Sequence, residues 1–169
     1  QSLGGNALGL SGADGNVMLA HRRPVKEIDY GFVGDLDAIN APAIQRLLSA
    51  EFTPVFCAIT HDGQGQLLNT NADTIASSLA TAMSGLYEVK LYLCLDKNGV
   101  LANPADDNSV IPSMNATDYE RFKAEGVVYA GMLPKLDNAF DALRQGVKQV
   151  IICGPDSICQ GGGTVIYAP

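Results

Sequence analysis

The residues best suited to chemistry are Asn69, Thr70, Asn71 and Asp73, which bring amide and carboxylate groups together just before an apolar helical pattern. An apolar strand-like run and a glycine-rich segment precede them, so we expect a loop that leads from a strand into a helix. Backbone N–H groups and the helix dipole favour an anionic ligand at such a position. Asn71 or Asp73 could instead cap the helix, since Asn and Asp are preferred caps. One cap accounts for only one residue, so we interpret these residues as a candidate site.

Two further segments suit phosphate or nucleotide chemistry. Asp96 follows an apolar run and Gly99 permits a tight turn, so a carboxylate there could organise a ribose or a lysine ammonium group. The same Asp-Lys-Asn-Gly sequence is also ordinary turn chemistry, and the pattern alone favours a surface turn. Lys135 begins a predicted helix, where its charge opposes the helix dipole. A cation in that position indicates a role in holding an anion, although a solvated surface lysine is the commoner alternative.

The spacing of apolar residues predicts the strands and helices that must position these side chains. The predicted strands are Ala7–Leu10, Val17–Ala20, Phe52–Ile59, Val89–Leu95, Gln149–Cys153 and Thr164–Tyr167. The predicted helices are Ala41–Ala50, Asp73–Met83, Ala116–Glu125 and Lys135–Gln145. This alternation predicts an α/β fold, a three-layer αβα sandwich with a mainly parallel central sheet. The nearly continuous apolar run from Val89 is expected to be a central strand covered on both faces.

Composition narrows the class of protein. With 169 residues and 47% hydrophobic content, the chain is expected to form a single domain over residues 1–169 with a sizeable core. The formal charge of −7 argues against a nucleic-acid partner, and the absence of a long apolar run argues against a membrane partner. The four cysteines lack Cys-x-x-Cys spacing. We interpret them as small core residues of a cytoplasmic protein, with no disulfide framework and no metal site.

Five segments resemble, in order, the motifs of acetylglutamate kinases, which belong to the amino acid kinase family. Leu68–Thr74 resembles the motif that organises the substrate and the catalytic lysines. The others resemble a glycine-rich segment, a Gly-x-Val-Gly turn, a nucleotide-binding Asp-x-x-Gly loop and a Gly-Met-x-x-Lys motif: Ala7–Gly15, Tyr30–Gly34, Asp96–Leu101 and Ala130–Lys135. Each motif alone is weak, but five in the family order are specific and extend over essentially the whole chain.

The resemblance implies an ATP-dependent kinase that phosphorylates the γ-carboxylate of an N-acyl-L-glutamate in arginine synthesis. It implies that Asn69 and Asn71 bind the substrate and that Asp73 holds catalytic lysines, one of which is Lys135. The nucleotide-binding residues that it implies are Asp96, Lys97, Asn98, Gly99, Val100, Leu101, Val127, Val128 and Tyr129. Mg²⁺ would be carried by the ATP phosphates rather than by protein ligands. The complete enzyme is expected to be a cytoplasmic homo-oligomer, a dimer.

Part of the family pattern has no counterpart in this sequence. The Lys-x-Gly-Gly phosphate loop and the substrate-binding arginine of the family are missing, and no lysine precedes the early pair Gly4-Gly5. We therefore expect the chain to be the C-terminal, nucleotide-binding portion of such a kinase, inactive in isolation. Two alternatives stay open: another amino acid kinase, or a nucleotide-binding fragment without turnover. The acyl group, acetyl or succinyl, stays open because the missing half shapes its pocket.

Overall fold

A computed structural model describes residues 2–128 and 131–167 as alternating strands and helices, which confirms the predicted α/β class. The strands are β1 (Ala7–Leu10), β2 (Met18–Arg22), β3 (Gly34–Ile39), β4 (Thr53–Phe56), β5 (Ile59–His61), β6 (Leu67–Asn69), β7 (Lys90–Cys94), β8 (Ser113–Met114), β9 (Gln149–Cys153) and β10 (Thr164–Ile166). The helices are α1 (Ala41–Ser49), α2 (Ala72–Ser84), α3 (Ala116–Ala124), α4 (Leu133–Arg144) and α5 (Ser157–Gln160). No helix in the described part of the chain is both long enough and apolar enough to cross a membrane.

The chain divides into two compact units, Gln1–Ala82 and Met83–Pro169. In the first unit β1 pairs in parallel with β4, and a second sheet has the strand order β3-β2-β5-β6. In the second unit one sheet has the order β7-β9-β10-β8. The pairs β1–β4, β2–β5, β7–β9 and β8–β10 are parallel, and the other three described pairs are antiparallel. Pairing is thus mainly parallel, and the single domain over residues 1–169 stays a prediction.

Local sequence explains where the helices begin and which faces they bury. Asn40 caps α1, because its Oδ1 accepts a hydrogen bond from the Ala43 N–H at 3.2 Å. Asn115 and Asp118 form a reciprocal capping box at the start of α3. The helix α4 buries the face that the spacing predicts, which comprises Leu136, Ala139, Phe140 and Leu143. Burying one large apolar side chain of this kind contributes roughly 1.5–3 kcal/mol.

The predicted strand Phe52–Ile59 is wrong as a single element. It is divided into β4 and β5, which belong to different sheets of the first unit. Beyond the end of β4, the Cys57 N–H donates to Leu10 O at 2.9 Å; just before β5, the Thr70 N–H donates to Ala58 O at 3.0 Å. Adjacent residues therefore pair with different partners, which the apolar run could not indicate.

The expectation of a central strand from Val89 is also wrong, because β7 lies at the edge of its sheet. Leu91 and Leu93 are buried, whereas Tyr92 is 42% exposed and Cys94 is also exposed. The side chains alternate between a covered and an open face, as in a strand buried on one side only. Tyr92 and Cys94 count as apolar residues in the sequence pattern, so the alternation between buried and exposed positions was not evident from it.

Two further differences lie near the candidate site. The sequence pattern does not predict β3 or β6, since β3 mixes acidic and apolar residues and β6 has only three residues. His61 lies beyond the end of the predicted strand Phe52–Ile59, but it is the last residue of β5 and only 8% exposed. Its Nδ1 accepts a hydrogen bond from the Gly63 N–H at 3.0 Å, so the neutral ring carries its proton on Nε2.

Candidate functional site

The first group of predicted site residues, Asn69–Asp73, lies between β6 and α2, and we call it the corner. Asn69 ends β6 and its side chain is exposed. Its backbone N–H donates to Phe32 O at 2.8 Å, beside a parallel bridge between Asn69 and Val33. Two of the segments that resemble family motifs, the corner and Tyr30–Gly34, are therefore in direct contact although they are far apart in the sequence.

Thr70 fixes the corner from the interior of the first unit. It is 3% exposed, and its Oγ1 donates to Gly34 O at 3.1 Å and lies 2.8 Å from Thr60 Oγ1. A Cβ on Gly34 would lie 2.8 Å from both Thr70 Oγ1 and Leu68 Cβ, so only glycine fits this close approach. The resemblance assigns no role to Thr60 or Thr70. The sequence Asn69-Thr70-Asn71 could have indicated that Thr70 is buried, because successive residues at the end of a strand face opposite sides.

Asn71 caps α2 in this structure. Its Oδ1 accepts a hydrogen bond from the Thr74 N–H at 3.0 Å, so the capping alternative describes this residue. Asp73 is half-buried in the first turn of α2, where a carboxylate interacts favourably with the helix dipole. The corner thus presents the exposed amide of Asn69 and the half-buried carboxylate of Asp73 on either side of a capping residue. The binding role of Asn71 stays a prediction.

The second group, Asp96–Leu101, follows β7 in the second unit, and we call it the nucleotide loop. Its residues divide into an exposed or half-exposed set, Asp96, Lys97 and Asn98, and a buried set, Gly99, Val100 and Leu101. Lys97 Nζ pairs with Asp107 Oδ1 at 2.7 Å. The side chains of Val100 and Leu101 belong to the core, so a nucleotide contact from these two positions would have to use backbone atoms.

A buried threonine that is distant in sequence fixes the nucleotide loop. Thr164 in β10 is 0% exposed, and its Oγ1 accepts from the Val100 N–H at 2.8 Å and donates to Ile111 O at 2.6 Å. A Cβ on Gly99 would lie 2.8 Å from the same oxygen. The sequence could not reveal Thr164, because no local pattern connects it to a residue 64 positions away.

The nucleotide loop starts at the kind of edge where α/β proteins bind ligands. β7 and β9 are parallel neighbours, so their carboxyl ends lie at one edge of the sheet. The segments that follow these two strands pack closely, since a Cβ on Gly154 would lie 2.5 Å from Asn98 Oδ1. Asp96 and Asn98 therefore place a carboxylate and an amide just beyond the strand ends.

Lys135 lies in the first turn of α4 and is half-buried. Its N–H donates to Met132 O at 3.1 Å, and Met132 supplies no side-chain cap to the helix. Val127 and Val128 follow α3, and their N–H groups donate to Phe122 O at 2.9 Å and 3.4 Å. Val128 is 6% exposed, so its side chain belongs to the core. Tyr129, the last predicted nucleotide-binding residue, lies outside the described residues.

A tyrosine that the sequence patterns did not single out connects α3 to α4. The Tyr119 hydroxyl donates to Asp137 Oδ1 at 2.8 Å, and its ring stacks on Phe140 with centroids 5.2 Å apart. Burial raises the pKa of Tyr119, and Asp137 raises it further. The hydroxyl therefore stays protonated at neutral pH and holds α4 two residues beyond Lys135.

The structure thus assembles two groups, each within its own unit. The corner contacts Tyr30–Gly34 in the first unit, and the nucleotide loop packs on β10 and the segment after β9 in the second. Within residues 2–128 and 131–167, no group of three or more His, Cys, Asp or Glu side chains is placed to hold a metal ion. The corner offers amide and carboxylate groups, and the nucleotide loop offers an amide, a carboxylate and a lysine.

Comparison of the sequence with known proteins relates this chain to one family of kinases. The profile of the amino acid kinase family matches residues 1–154. An acetylglutamate kinase of Bacteroides fragilis is 49% identical over 166 residues, which cover 98% of this chain and 64% of that protein. An acetylglutamate kinase of Methanopyrus kandleri is 35% identical over 170 residues, which cover 98% of this chain and 68% of that protein.

A solved structure also resembles this chain over nearly its whole length. A crystal structure of a Streptococcus mutans protein superposes with a TM-score of 0.79 at 28% identity, covering 98% of this chain and 62% of that one. The chain belongs to the amino acid kinase family. It spans 64% of the length of its Bacteroides fragilis relative, so about a third of that relative has no counterpart in this sequence.

Proposed function

We propose that the complete protein is an ATP-dependent kinase that phosphorylates the γ-carboxylate of an N-acyl-L-glutamate, a step of arginine synthesis. The observation that carries this proposal is the 49% identity, over 98% of the chain, to a protein named acetylglutamate kinase. The corner supports it, because Asn69 and Asp73 lie at the start of a helix, beside a second segment that resembles a family motif. The protein would act in the cytoplasm as a homodimer.

The proposed reaction makes few covalent demands on the protein. A γ-carboxylate oxygen of the substrate attacks the γ-phosphorus of ATP, the bond from that phosphorus to the β,γ-bridging oxygen breaks, and ADP leaves with the electron pair. The acceptor is already an anion, so no general base is needed. Positioning and positive charge supply most of the rate in phosphoryl transfer.

The corner residues would bind and orient the acceptor. The exposed amide of Asn69 would donate to the α-carboxylate side of the acyl-glutamate. Asn71 Oδ1 is already engaged as a helix cap, so Asn71 would contribute through its amide NH₂ group. Asp73 would hold the ammonium groups of catalytic lysines, and Lys135 would neutralise the charge that develops on the transferred phosphoryl oxygens.

The nucleotide loop would bind ATP at the carboxyl edge of β7. Asp96 and Asn98 would contact the ribose and neighbouring polar groups, with Lys97 nearby. The remaining predicted contacts, largely through the backbone, are Gly99, Val100, Leu101, Val127, Val128 and Tyr129. Mg²⁺ would enter with the ATP phosphates, since this ion usually keeps several waters and few protein ligands. The chemistry that it supplies there is neutralisation of phosphate charge.

ADP release by the purified complete protein tests the proposal across different acceptors. N-acetyl-L-glutamate and N-succinyl-L-glutamate are compared with aspartate, glutamate, carbamate and uridylate. We expect turnover with an N-acyl-glutamate and none with the others. ADP release with another acceptor alone would assign a different amino acid kinase, and ATP binding without turnover would make the protein a non-enzymatic member of the family. The 169-residue chain alone is expected to bind ATP weakly and to phosphorylate nothing.

Two matched variants separate the roles of the asparagines. Asn69→Ala removes an exposed amide, and we expect KM for the acceptor to rise roughly 10- to 150-fold, because a hydrogen bond to a charged group contributes about 1.5–3 kcal/mol. Asn71→Ser keeps a capping oxygen for α2 but removes the amide NH₂ group. An unchanged acceptor KM in Asn71→Ser would restrict Asn71 to helix capping.

A further inference from the structure

Cys94 and Cys153 are directly paired residues on the neighbouring parallel strands β7 and β9. Directly paired residues on neighbouring strands project to the same face of the sheet, so the two thiols lie on one face. Adjacent strands lie about 4.7–4.9 Å apart, and that spacing falls within the Cα separation of about 4.4–6.8 Å that a disulfide spans. The strand register therefore places the two residues at a backbone separation that a disulfide spans. The expectation that both cysteines are core residues holds only for Cys153, since Cys94 is exposed on the edge strand.

The two thiols differ in their access to solvent and in their readiness to ionise. Cys153 is 0% exposed, and burial raises the pKa of its thiol, with the adjacent Cys94 raising it further. A buried thiol that resists ionisation is a poor first nucleophile, because the thiolate is the reactive form. Cys94 is open to a reagent in solution. The pair thus combines an accessible attacking thiol with a shielded second thiol.

We propose that Cys94 and Cys153 form a redox-active dithiol site that reacts with low-molecular-weight disulfides. Cys94 Sγ, as thiolate, attacks one sulfur of the reagent; its S–S bond breaks and one reagent thiol leaves with the proton that Cys94 has lost. Cys153 Sγ then attacks Cys94 Sγ and displaces the second reagent thiol, which takes the proton of Cys153. Two protein thiols are oxidised to one disulfide, and the reagent disulfide is reduced to two thiols.

This inference is independent of the proposed function. It rests on the pairing of two residues and on their unequal burial, and neither involves a nucleotide or an acceptor. The bridge would join β7 to β9 at their carboxyl ends, where each strand leads into its following loop. Cys57 offers a matched control, because it is exposed like Cys94 but lies in the first unit, beyond the end of β4.

The test uses the complete protein, reduced and then exposed to oxidised glutathione, quenched by alkylation and analysed by intact mass and peptide mapping. We expect the unmodified sequence to lose two hydrogens and to yield a linked Cys94–Cys153 peptide. Cys153→Ala should instead accumulate a glutathione adduct on Cys94. Cys94→Ser should form neither the bridge nor an adduct on Cys153, and Cys57→Ser should form the bridge as before.

Alkylation rates in the unsubstituted, folded protein give a second test that needs no variant. We expect Cys94 to react at least roughly tenfold faster than Cys153, because the exposed thiol meets the reagent first. A glutathione adduct that persists on Cys94 without a bridge, or equal alkylation rates at the two positions, would overturn the proposal.

Discussion

The corner and the nucleotide loop are held in place by similar contacts. In each, a buried threonine hydroxyl donates to a backbone carbonyl, from Thr70 at 3.1 Å and from Thr164 at 2.6 Å. In each, a glycine approaches that hydroxyl so closely that a Cβ would lie 2.8 Å from the oxygen, Gly34 for the corner and Gly99 for the loop. The position of each polar surface motif thus depends on one buried threonine hydroxyl and on one glycine that leaves room for it.

The two regions differ in the location of the threonine in the sequence and in the groups with which its hydroxyl forms hydrogen bonds. Thr70 belongs to the corner itself and shares a hydrogen bond with another hydroxyl, that of Thr60, at 2.8 Å. Thr164 comes from the last described strand and bonds two backbone groups, the Val100 N–H and Ile111 O. Hydroxyl groups can rotate to new partners, whereas backbone groups cannot. The nucleotide loop should therefore depend more strongly on its threonine than the corner does.

Thr164→Val should have the largest effect on stability. Valine has nearly the same shape but leaves the Val100 N–H and Ile111 O unsatisfied in the interior. We expect the free energy of unfolding to fall by about 2–6 kcal/mol, since each buried unsatisfied group costs about 1–3 kcal/mol. Urea denaturation of the chain measures it, and Thr164→Ser, which keeps the hydroxyl, is the control. A loss no larger than that of Thr164→Ser would remove Thr164 as the anchor of the loop.

Lys135→Ala should affect chemistry rather than stability. We expect turnover of the complete enzyme to fall a hundredfold or more with little change in ATP affinity, because its charge matters most while the phosphoryl group is in transfer; one such contact contributes about 3 kcal/mol. Steady-state kinetics with N-acetyl-L-glutamate measure the change, and Lys97→Ala in the nucleotide loop is the comparison variant. Turnover within about threefold of the parent enzyme would remove Lys135 from the catalytic residues.

Thr70→Val should have a smaller effect on stability than Thr164→Val. One carbonyl loses its side-chain donor, and Thr60 Oγ1 still lies 3.4 Å from Leu68 O. We expect a loss of about 1–2 kcal/mol together with a raised acceptor KM, because the corner loses its fixed geometry. Thr70→Ser should restore both quantities. If Thr70→Val destabilises the chain as much as Thr164→Val does, the proposed difference between the two regions is wrong.

The elements that depend on local patterns were predictable from the sequence. β1 and β9 have the predicted bounds, and α1 to α4 begin and end within two residues of the predicted positions. Caps, turn residues and helical spacing act over a few residues, so a single sequence contains them. The local structure of the corner, a strand end that leads into a helix, was predictable for the same reason, whereas the binding role of its residues stays a prediction.

Features that depend on strand pairing were not predictable. The position of β7 at the edge of its sheet, the division between β4 and β5, and the hydrogen bonds of Thr164 all involve residues distant in sequence. Val100 is hydrogen-bonded to Thr164 in β10 and Leu101 bridges Val110, contacts that the loop's own sequence does not indicate, so the nucleotide loop appeared as a uniform motif. The division of this loop into an exposed polar half and a buried apolar half becomes evident only from the three-dimensional structure.

Asp73→Asn in the complete enzyme tests the central claim, that the corner organises catalytic lysines, most directly. Asn71 already caps α2, so this change removes a charge while keeping the shape of the side chain. We expect the free energy of unfolding to change by less than about 1 kcal/mol, the usual size of a helix-dipole interaction, while turnover with N-acetyl-L-glutamate collapses. An Asp73→Asn enzyme with turnover close to that of the parent would contradict the account, because Asp73 would then serve only the first turn of a helix.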